Sequence, residues 1–442
     1  MNLRLVASCG FVCAALLISG CDSGRPPPGR VSVQVANAAP GFGSLTFRRE
    51  QDLSRDQEMR FKDAQLFVYD ADTYDFYVIE RSLSNADPGR TWTFAPKLEA
   101  NTLYTFALTE VAGEIQPVVI ATPPSPVTDA QIVALNAASG LPAMDMYLER
   151  PGVGIAGATP RGTFNAGEQI PPRTLPSGEY ELFLTAAGNP ADVLLTSLNF
   201  TLAAGTTSTF IVVPESGQST ARVSAVLLQS APQVLFDRNA PSVLRAINGA
   251  TDRAPRDLAI DSQFSPPLFS AMPFAEPTAY GTVPIGTVKI NVTPVGNPGV
   301  LELDAQFSSG AGQRLTTLFT GPAGTLQPTF AADDLRRLNR EAKLRFMNAA
   351  TQFLAIDFVV AFPEGDPAPL FPLAQLFPPG MSEYQPLYPG EYDLYLLETT
   401  TRAILSGPTR ISVAAGGIYG ALAIDGPDTA TANVRLLDDF VP

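Results

Sequence analysis

Apolar and polar side chains alternate with a period of two along most of this chain, as in Met144-Asp145-Met146-Tyr147-Leu148. Alternation of that kind puts every second residue on one face of an extended strand. Runs such as Val31-Ser32-Val33-Gln34-Val35 and Tyr392-Asp393-Leu394-Tyr395-Leu396 repeat the pattern, with proline and glycine turn formers between them. The spacing predicts an all-β chain. Helical periodicity is confined to Ala331-Ala332-Asp333-Asp334-Leu335-Arg336-Arg337-Leu338-Asn339-Arg340-Glu341, which reads as one or two helical turns or as a solvated linker.

The strands recur as a unit. A run closing on Asn, a small residue and Ala appears at Asn37, Asn136, Asn248 and Asn348, separated by 99, 112 and 100 residues. Each is followed by a second strand candidate, at 44–48, 144–149, 257–260 and 354–360, the last apolar enough to be covered on both faces. A third strand follows at 74–79, 180–184, 288–292 and 392–397. In two copies a Pro/Gly turn precedes it, Pro176-Ser177-Gly178-Glu179-Tyr180 and Tyr388-Pro389-Gly390-Glu391-Tyr392. Late runs fall at 98–108, 202–213, 307–319 and 413–424, with closing strands at 222–228 and 433–437. Six or seven short strands in about 100 residues predict an antiparallel β-sandwich. A polar insertion at 50–59 in the first unit is expected on the surface.

The N-terminus follows a different pattern. Arg4 and the apolar run 5–18 form a signal-peptide core, too short to span a bilayer, ending in the lipobox Ile18-Ser19-Gly20-Cys21. Cleavage before Cys21 and lipidation of its thiol are expected; each buried methylene of an acyl chain adds about 0.8 kcal/mol. The proline-rich flank after Cys21 reads as a tether. The expected organisation is a signal peptide at 1–20, a tether at 21–30 and sandwiches at 31–123, 127–230, 241–330 and 342–440, with a linker at 331–341.

Composition narrows the chemistry. Of the three cysteines, Cys9 and Cys13 lie in the signal peptide, and the chain contains no histidine. A disulfide, a thiolate nucleophile and the commonest zinc ligands are thereby excluded from the mature chain. With a formal net charge of -14 among 442 residues, nucleic acid is an unsuitable partner. No catalytic, cofactor-binding or metal site is expected.

The order of segments resembles the domain-of-unknown-function family numbered 4397, found in secreted and envelope proteins of bacteria. Met144-Asp145-Met146-Tyr147 is similar to its second strand, Leu258-Ala259-Ile260-Asp261 and Ala355-Ile356-Asp357-Phe358 less so, while Ser44-Leu45-Thr46-Phe47 lacks the acid. Unit 4 is the closest copy, through 392–397 and 416–424. The resemblance implies tandem immunoglobulin-like or transthyretin-like sandwiches and no known activity.

Remaining features favour structural readings. The four asparagines are expected to hold turns by bonding backbone two residues on. Asp70, Asp72 and Asp75 lack the pattern of a calcium loop and read as a tight connection. Trp92 reads as a strand residue, and Asp438-Asp439 as a solvated pair. The expected function is that of a non-catalytic, membrane-anchored cell-envelope lipoprotein of a Gram-negative bacterium, on the inner or outer membrane, facing periplasm or cell surface. It would act as a structural, spacer or protein-interaction module whose partners are membrane lipid and another envelope protein or a polysaccharide. The alternative is a substrate-binding or carbohydrate-binding lipoprotein serving uptake or polymer assembly, for which the aromatic stretch 264–280 is the place to find a groove.

Overall fold

A computed structural model describes residues 29–50, 56–80, 89–124 and 128–440. Cys21, the signal peptide and nearly all of the tether lie outside these residues. The described chain is all-β and folds as four two-sheet sandwiches; no helix in it is long and apolar enough to cross a membrane.

Unit 1 holds β1 (Arg30–Ala38), β2 (Ser44–Arg49), β3 (Gln57–Arg60), β4 (Ala64–Asp70), β5 (Phe76–Glu80), β6 (Arg90–Phe94), β7 (Leu103–Val111) and β8 (Glu114–Thr122). Its sheets run β4-β1-β7-β8 and β3-β2-β5-β6. Unit 2 holds β9 (Ala130–Asn136), β10 (Met144–Glu149), β11 (Gly162–Phe164), β12 (Gln169–Leu175), β13 (Gly178–Ala186), β14 (Asn189–Thr196), β15 (Phe200–Leu202), β16 (Thr207–Pro214), β17 (Val223–Leu228) and β18 (Gln233–Leu235). Its first sheet runs β12-β9-β16-β17-β18, so the unit continues past residue 230. Unit 3 holds β19 (Ser242–Ala250), β20 (Arg256–Ile260), β21 (Phe269–Met272), β22 (Gly281–Val283), β23 (Gly286–Pro294), β24 (Leu303–Ser309), β25 (Arg314–Gly321) and β26 (Gln327–Ala332). Unit 4 holds β27 (Ala342–Asn348), β28 (Ile356–Ala361), β29 (Ala374–Leu376), β30 (Gly380–Met381), β31 (Gln385–Leu387), β32 (Gly390–Glu398), β33 (Ile404–Val413), β34 (Ile418–Asp425) and β35 (Ala432–Asp438).

Each sandwich departs from purely antiparallel pairing at one place. The opening strand runs parallel to the late strand in every copy, β1 with β7, β9 with β16, β19 with β25 and β27 with β34. The polar insertion of unit 1 ends in β3, whose Met59 is buried in the core rather than on the surface. β28 is covered on both faces as expected: Ile356 and Phe358 face the sandwich core, whereas Val359 and Ala361 pack with Tyr395 and Leu397 on the other face.

The opening strands are also buried on both faces, and this organises the whole molecule. In β9, Ile132 and Ala134 face the core of unit 2, while Val133 and Leu135 face Ala36, Ala38 and Ala107 of unit 1. In β19 and β27, Leu244 and Leu344 point inward, and Ile247 and Met347 meet across a second seam. Units therefore pair back to back, 1 with 2 and 3 with 4. Within each pair like ends lie level: Thr105 meets Thr209 at 3.4 Å, Lys62 meets Glu215 at 2.5 Å, and Thr320 Oγ1 donates to Ala349 O at 2.8 Å.

The pairs then stack end to end. The asparagine-bearing ends of units 1 and 2 abut the opposite ends of units 3 and 4, where Thr220 N–H donates to Gly312 O and its hydroxyl to Pro241 O. Arg30 consequently sits at one free end and Asn248 and Asn348 near the other. At about 3.3 Å per residue, two tiers of nine-residue strands span roughly 60 Å.

Candidate functional site

The repeated asparagines are structural in every copy. Each side-chain oxygen accepts from the N–H two residues on, at 3.0, 2.9, 3.1 and 2.9 Å for Asn37, Asn136, Asn248 and Asn348. Each amide nitrogen donates to a carbonyl on the edge strand of the opposite sheet, Met59, Phe164, Met272 or Leu376. One side chain thus closes a turn and ties the two sheets together. All four are fully buried, which excludes a ligand-binding row.

The acids of the second strands do related work. Asp145 accepts from Thr163 and from Gly188 N–H; Asp257 accepts from Ala271 and Gly296 N–H; Asp357 accepts from Gln375, Thr399 and Arg402. The equivalent of Asp145 in unit 3 is therefore Asp257, not Asp261, which occupies a turn at positive φ. Among the described residues no group of three or more carboxylates could hold a metal ion, Asp70, Asp72 and Asp75 included. Trp92 lies in β6, donating to Glu114 at 2.9 Å. In the stretch 264–280, Phe269 and Met272 pack on the core of unit 3 and Phe274 and Ala275 pack in the seam with unit 4, while most of its other residues are half-buried or exposed.

The unexpected centre of the molecule is the segment 333–341. It is not helical but an extended strap held between the tiers, with Asp333, Arg336 and Leu338 buried and only Arg337 and Asn339 exposed. It bonds to all four units. Asn339 N–H donates to Gly41 O at 2.8 Å in unit 1, and Leu335 N–H to Gly217 O at 3.2 Å in unit 2. Asp333 N–H donates to Arg314 O in unit 3, and Glu341 O accepts from Gly416 N–H in unit 4. A Cβ on Gly217, at φ +101°, would lie 2.5 Å from Leu335 O, so only glycine allows this approach.

Asp333 is the strap's buried carboxylate. It accepts from Tyr280 at 2.5 Å, from Thr316 at 2.6 Å and from Arg345. Arg245, 3.7 Å from Asp333, also pairs with Asp438 at 2.5 Å, so Asp438 is not solvated, whereas Asp439 is exposed as expected and binds the exposed Arg337 at 2.6 Å. Burial opposes the charge on Arg245, but Asp438, Tyr280 and Asp333 outweigh it and hold its pKa above the ordinary value. Burial and the Asp333 charge push the Tyr280 hydroxyl up. Arg245 and Arg345 occupy the same repeat position, three residues before the asparagine, as do Tyr280 and Tyr384 before β22 and β31. An arginine at the same position of two fully buried strands was the sequence signal for this cluster, and reading the strands one copy at a time misses it.

Beside the strap lies a cleft of about 1190 Å³ to which all four units contribute. Lys62 and Glu215 form its buried floor, and burial lowers the Lys62 pKa against the pull of Glu215. Glu215 Oε2 has no hydrogen-bond partner. Lys343 is lowered to about 8 by burial, despite Asp334, and Glu341 is raised to about 7 by burial and by Glu80, despite Arg340. The chain-edge residues Gln233, Val234, Leu235 and Phe236 form one wall.

Family comparison falls on the upper tier. A domain of the family described as Domain of unknown function (DUF4397) is present at residues 242–359. The DUF4397 match takes in all of unit 3 and extends through β27 into β28 of unit 4, although the 392–397 and 416–424 segments made unit 4 the closer expectation. No curated protein matches the chain. Among solved structures, the Bacillus anthracis TIE protein aligns at 11% identity over 90% of this chain and 69% of its own, with a TM-score of 0.15. The pilus adhesin SpaC from Lactobacillus rhamnosus GG aligns at 12% identity over 93% of this chain and 43% of its own, with a TM-score of 0.14. This chain thus spans less than half of that adhesin, and TM-scores so low carry no functional argument.

Proposed function

We propose that the chain is a cell-envelope lipoprotein, anchored through lipid on Cys21, that serves as a rigid spacer and protein-interaction module without catalysis. The observation that supports this reading most is the strap at 333–341, whose bonds to four sandwiches make one body of two tiers. A string of loosely linked domains would give reach without fixed distance. Here the described chain begins at one free end, where the tether would join, and presents the loops of units 3 and 4 about 60 Å away. The aromatic stretch 264–280, on which the carbohydrate-binding alternative rests, spends Phe269 and Met272 on the core of unit 3 and Phe274 and Ala275 on the seam, which favours the interaction reading.

Two measurements test the proposal. Radiolabelled palmitate should label the chain, and Cys21→Ser should abolish labelling and move the protein from the membrane to the soluble fraction. Membrane retention of Cys21→Ser would overturn the anchor. Cross-linking in native membranes should recover a recurrent protein partner attached through units 3 or 4 or the cleft; recovery of none across growth conditions would overturn the interaction role.

A further inference from the structure

We propose that the cleft between the tiers is a docking site for an extended peptide segment of a protein partner, added as a strand to the open edge of β18. This names the partner class for the interaction reading above and rests on it. β18 is the outermost strand of its five-stranded sheet. It pairs with β17 through Ala225, Val226 and Leu227, and among the described residues no strand lies on its other side.

An unpaired strand edge is a template for another strand, and proteins usually blunt such edges with charge, proline or a covering segment. Gln233-Val234-Leu235-Phe236 carries no charge and no proline. Its three-residue length, with Pro232 before it and Asp237 after Phe236, limits pairing to a short segment, and its place in the wall of the cleft leaves room for a single strand. Leu198, Phe236 and Ile285, 69%, 47% and 54% exposed, line the same space and supply apolar contacts for alternate side chains of an incoming peptide. Backbone amides and carbonyls at strand spacing match a peptide rather than a sugar, whose hydroxyls have no such repeat.

The floor adds a polar requirement. Lys62 lies 5.2 Å from the ring centroid of Phe236 and binds Glu215 through Oε1, leaving the buried Oε2 without a donor. An amide or a basic side chain of the peptide would supply that donor. With an extended residue occupying about 3.3 Å along the strand, 4.8 Å across the sheet and 10 Å between layers, the 1190 Å³ holds roughly seven residues.

The test uses the mature full-length chain and a phage-displayed random octapeptide library, followed by fluorescence anisotropy with an enriched octapeptide. Enriched peptides should alternate apolar residues and lack central proline. N-methylation of alternate backbone amides should weaken binding at least tenfold on one set of positions and little on the other, because one peptide edge faces β18. Val234→Pro and Ile285→Asp should each weaken it at least tenfold; the second changes a half-exposed side chain and keeps the test valid if the first perturbs the edge. No enrichment, indifference to N-methylation at every position, or binding of maltohexaose in place of peptide would overturn the proposal. None of these readouts depends on acylation, so failure here is distinguishable from failure of the anchor, which membrane fractionation of Cys21→Ser reads.

Discussion

The two back-to-back seams use the same strands for opposite solutions. Between units 1 and 2 the surfaces are small and apolar, with Ala36, Ala38, Val133, Leu135, Ile211 and Val213 in contact. The position three residues before the asparagine holds Gln34 in one unit and Val133 in the other, beside the neutral Thr105 and Thr209. Between units 3 and 4 that position holds Arg245 and Arg345, and Asp333 of the strap lies between them. The parallel partner there is Thr316 in one copy but Gly420 in the other, where a Cβ would lie 2.9 Å from Asp438 Oδ2. The apolar middle of the 1–2 seam needs only complementary shape, and its buried ion pair, Lys62–Glu215, stands at the end that lines the cleft. A buried ionic seam has to repay desolvation with hydrogen bonds, and it does so by recruiting a carboxylate from the segment that also grips units 1 and 2. The difference teaches that the charges tie the tiers together rather than strengthening one seam.

That comparison can be broken or sharpened by substitution. Asp333→Ala leaves Arg345, Arg245 and Tyr280 buried around a missing carboxylate, so a loss of about 3–5 kcal/mol is expected in denaturant unfolding. An unchanged midpoint would mean that the ionic seam is not what holds the strap. Leu135→Ala on the apolar seam should cost about 2–4 kcal/mol, through lost burial and the cavity left behind. Equal costs for the pair with and without units 3 and 4 would show that this seam stands alone.

Asn136→Ala removes the tie between sheets inside one sandwich and strands Ala138 N–H, for which about 1–3 kcal/mol is expected, read as a lower melting temperature with octapeptide binding unchanged. Stability equal to wild type would refute the structural role of all four copies.

For Glu341, the folded pKa of about 7 lies above its ordinary 4.5, so the folded state holds the proton more tightly. Its contribution is fully present below pH 4.5 and lost as pH rises through 7. Melting temperatures of wild type and Glu341→Gln should therefore diverge between pH 4.5 and 7, the variant losing less; parallel curves would contradict the burial of this group. The smallest effect is expected from replacing the ionic cluster as a whole. Arg245→Met, Arg345→Met, Asp333→Leu, Asp438→Asn, Tyr280→Phe and Thr316→Val together should leave stability within about 1–2 kcal/mol of wild type, since a well-packed apolar substitute can match a buried ion network and no carboxylate of the cluster is left without its arginine. A large loss would show that the charges stabilise the seam itself.

What could be read from the chain was local. Alternation located β10 as 144–149 and β17 within 222–228, and the asparagine turns followed from a side chain that reaches its own backbone two residues away. The acid of unit 3 was misplaced by four residues because Leu258-Ala259-Ile260-Asp261 imitates the strand motif, whereas register across β20 and β23 selects Asp257. Helical spacing at 331–341 was real, yet the tertiary contacts overrode it: backbone groups of Asp333, Leu335, Asn339 and Glu341, which a helix would have paired internally or left to water, are each bonded to a different sandwich.

By itself, then, the sequence determined the all-β class, the four-fold repeat, the turn asparagines and the absence of histidine. These depend on residue type and on neighbours within one strand or turn. Only the tertiary structure decided the parallel opening pair, the two seams, the stacking of the tiers and the open edge of β18. Each of those depends on groups brought together from as far apart as Gly41 and Asn339, and no period along the chain encodes which exposed strand face will meet which.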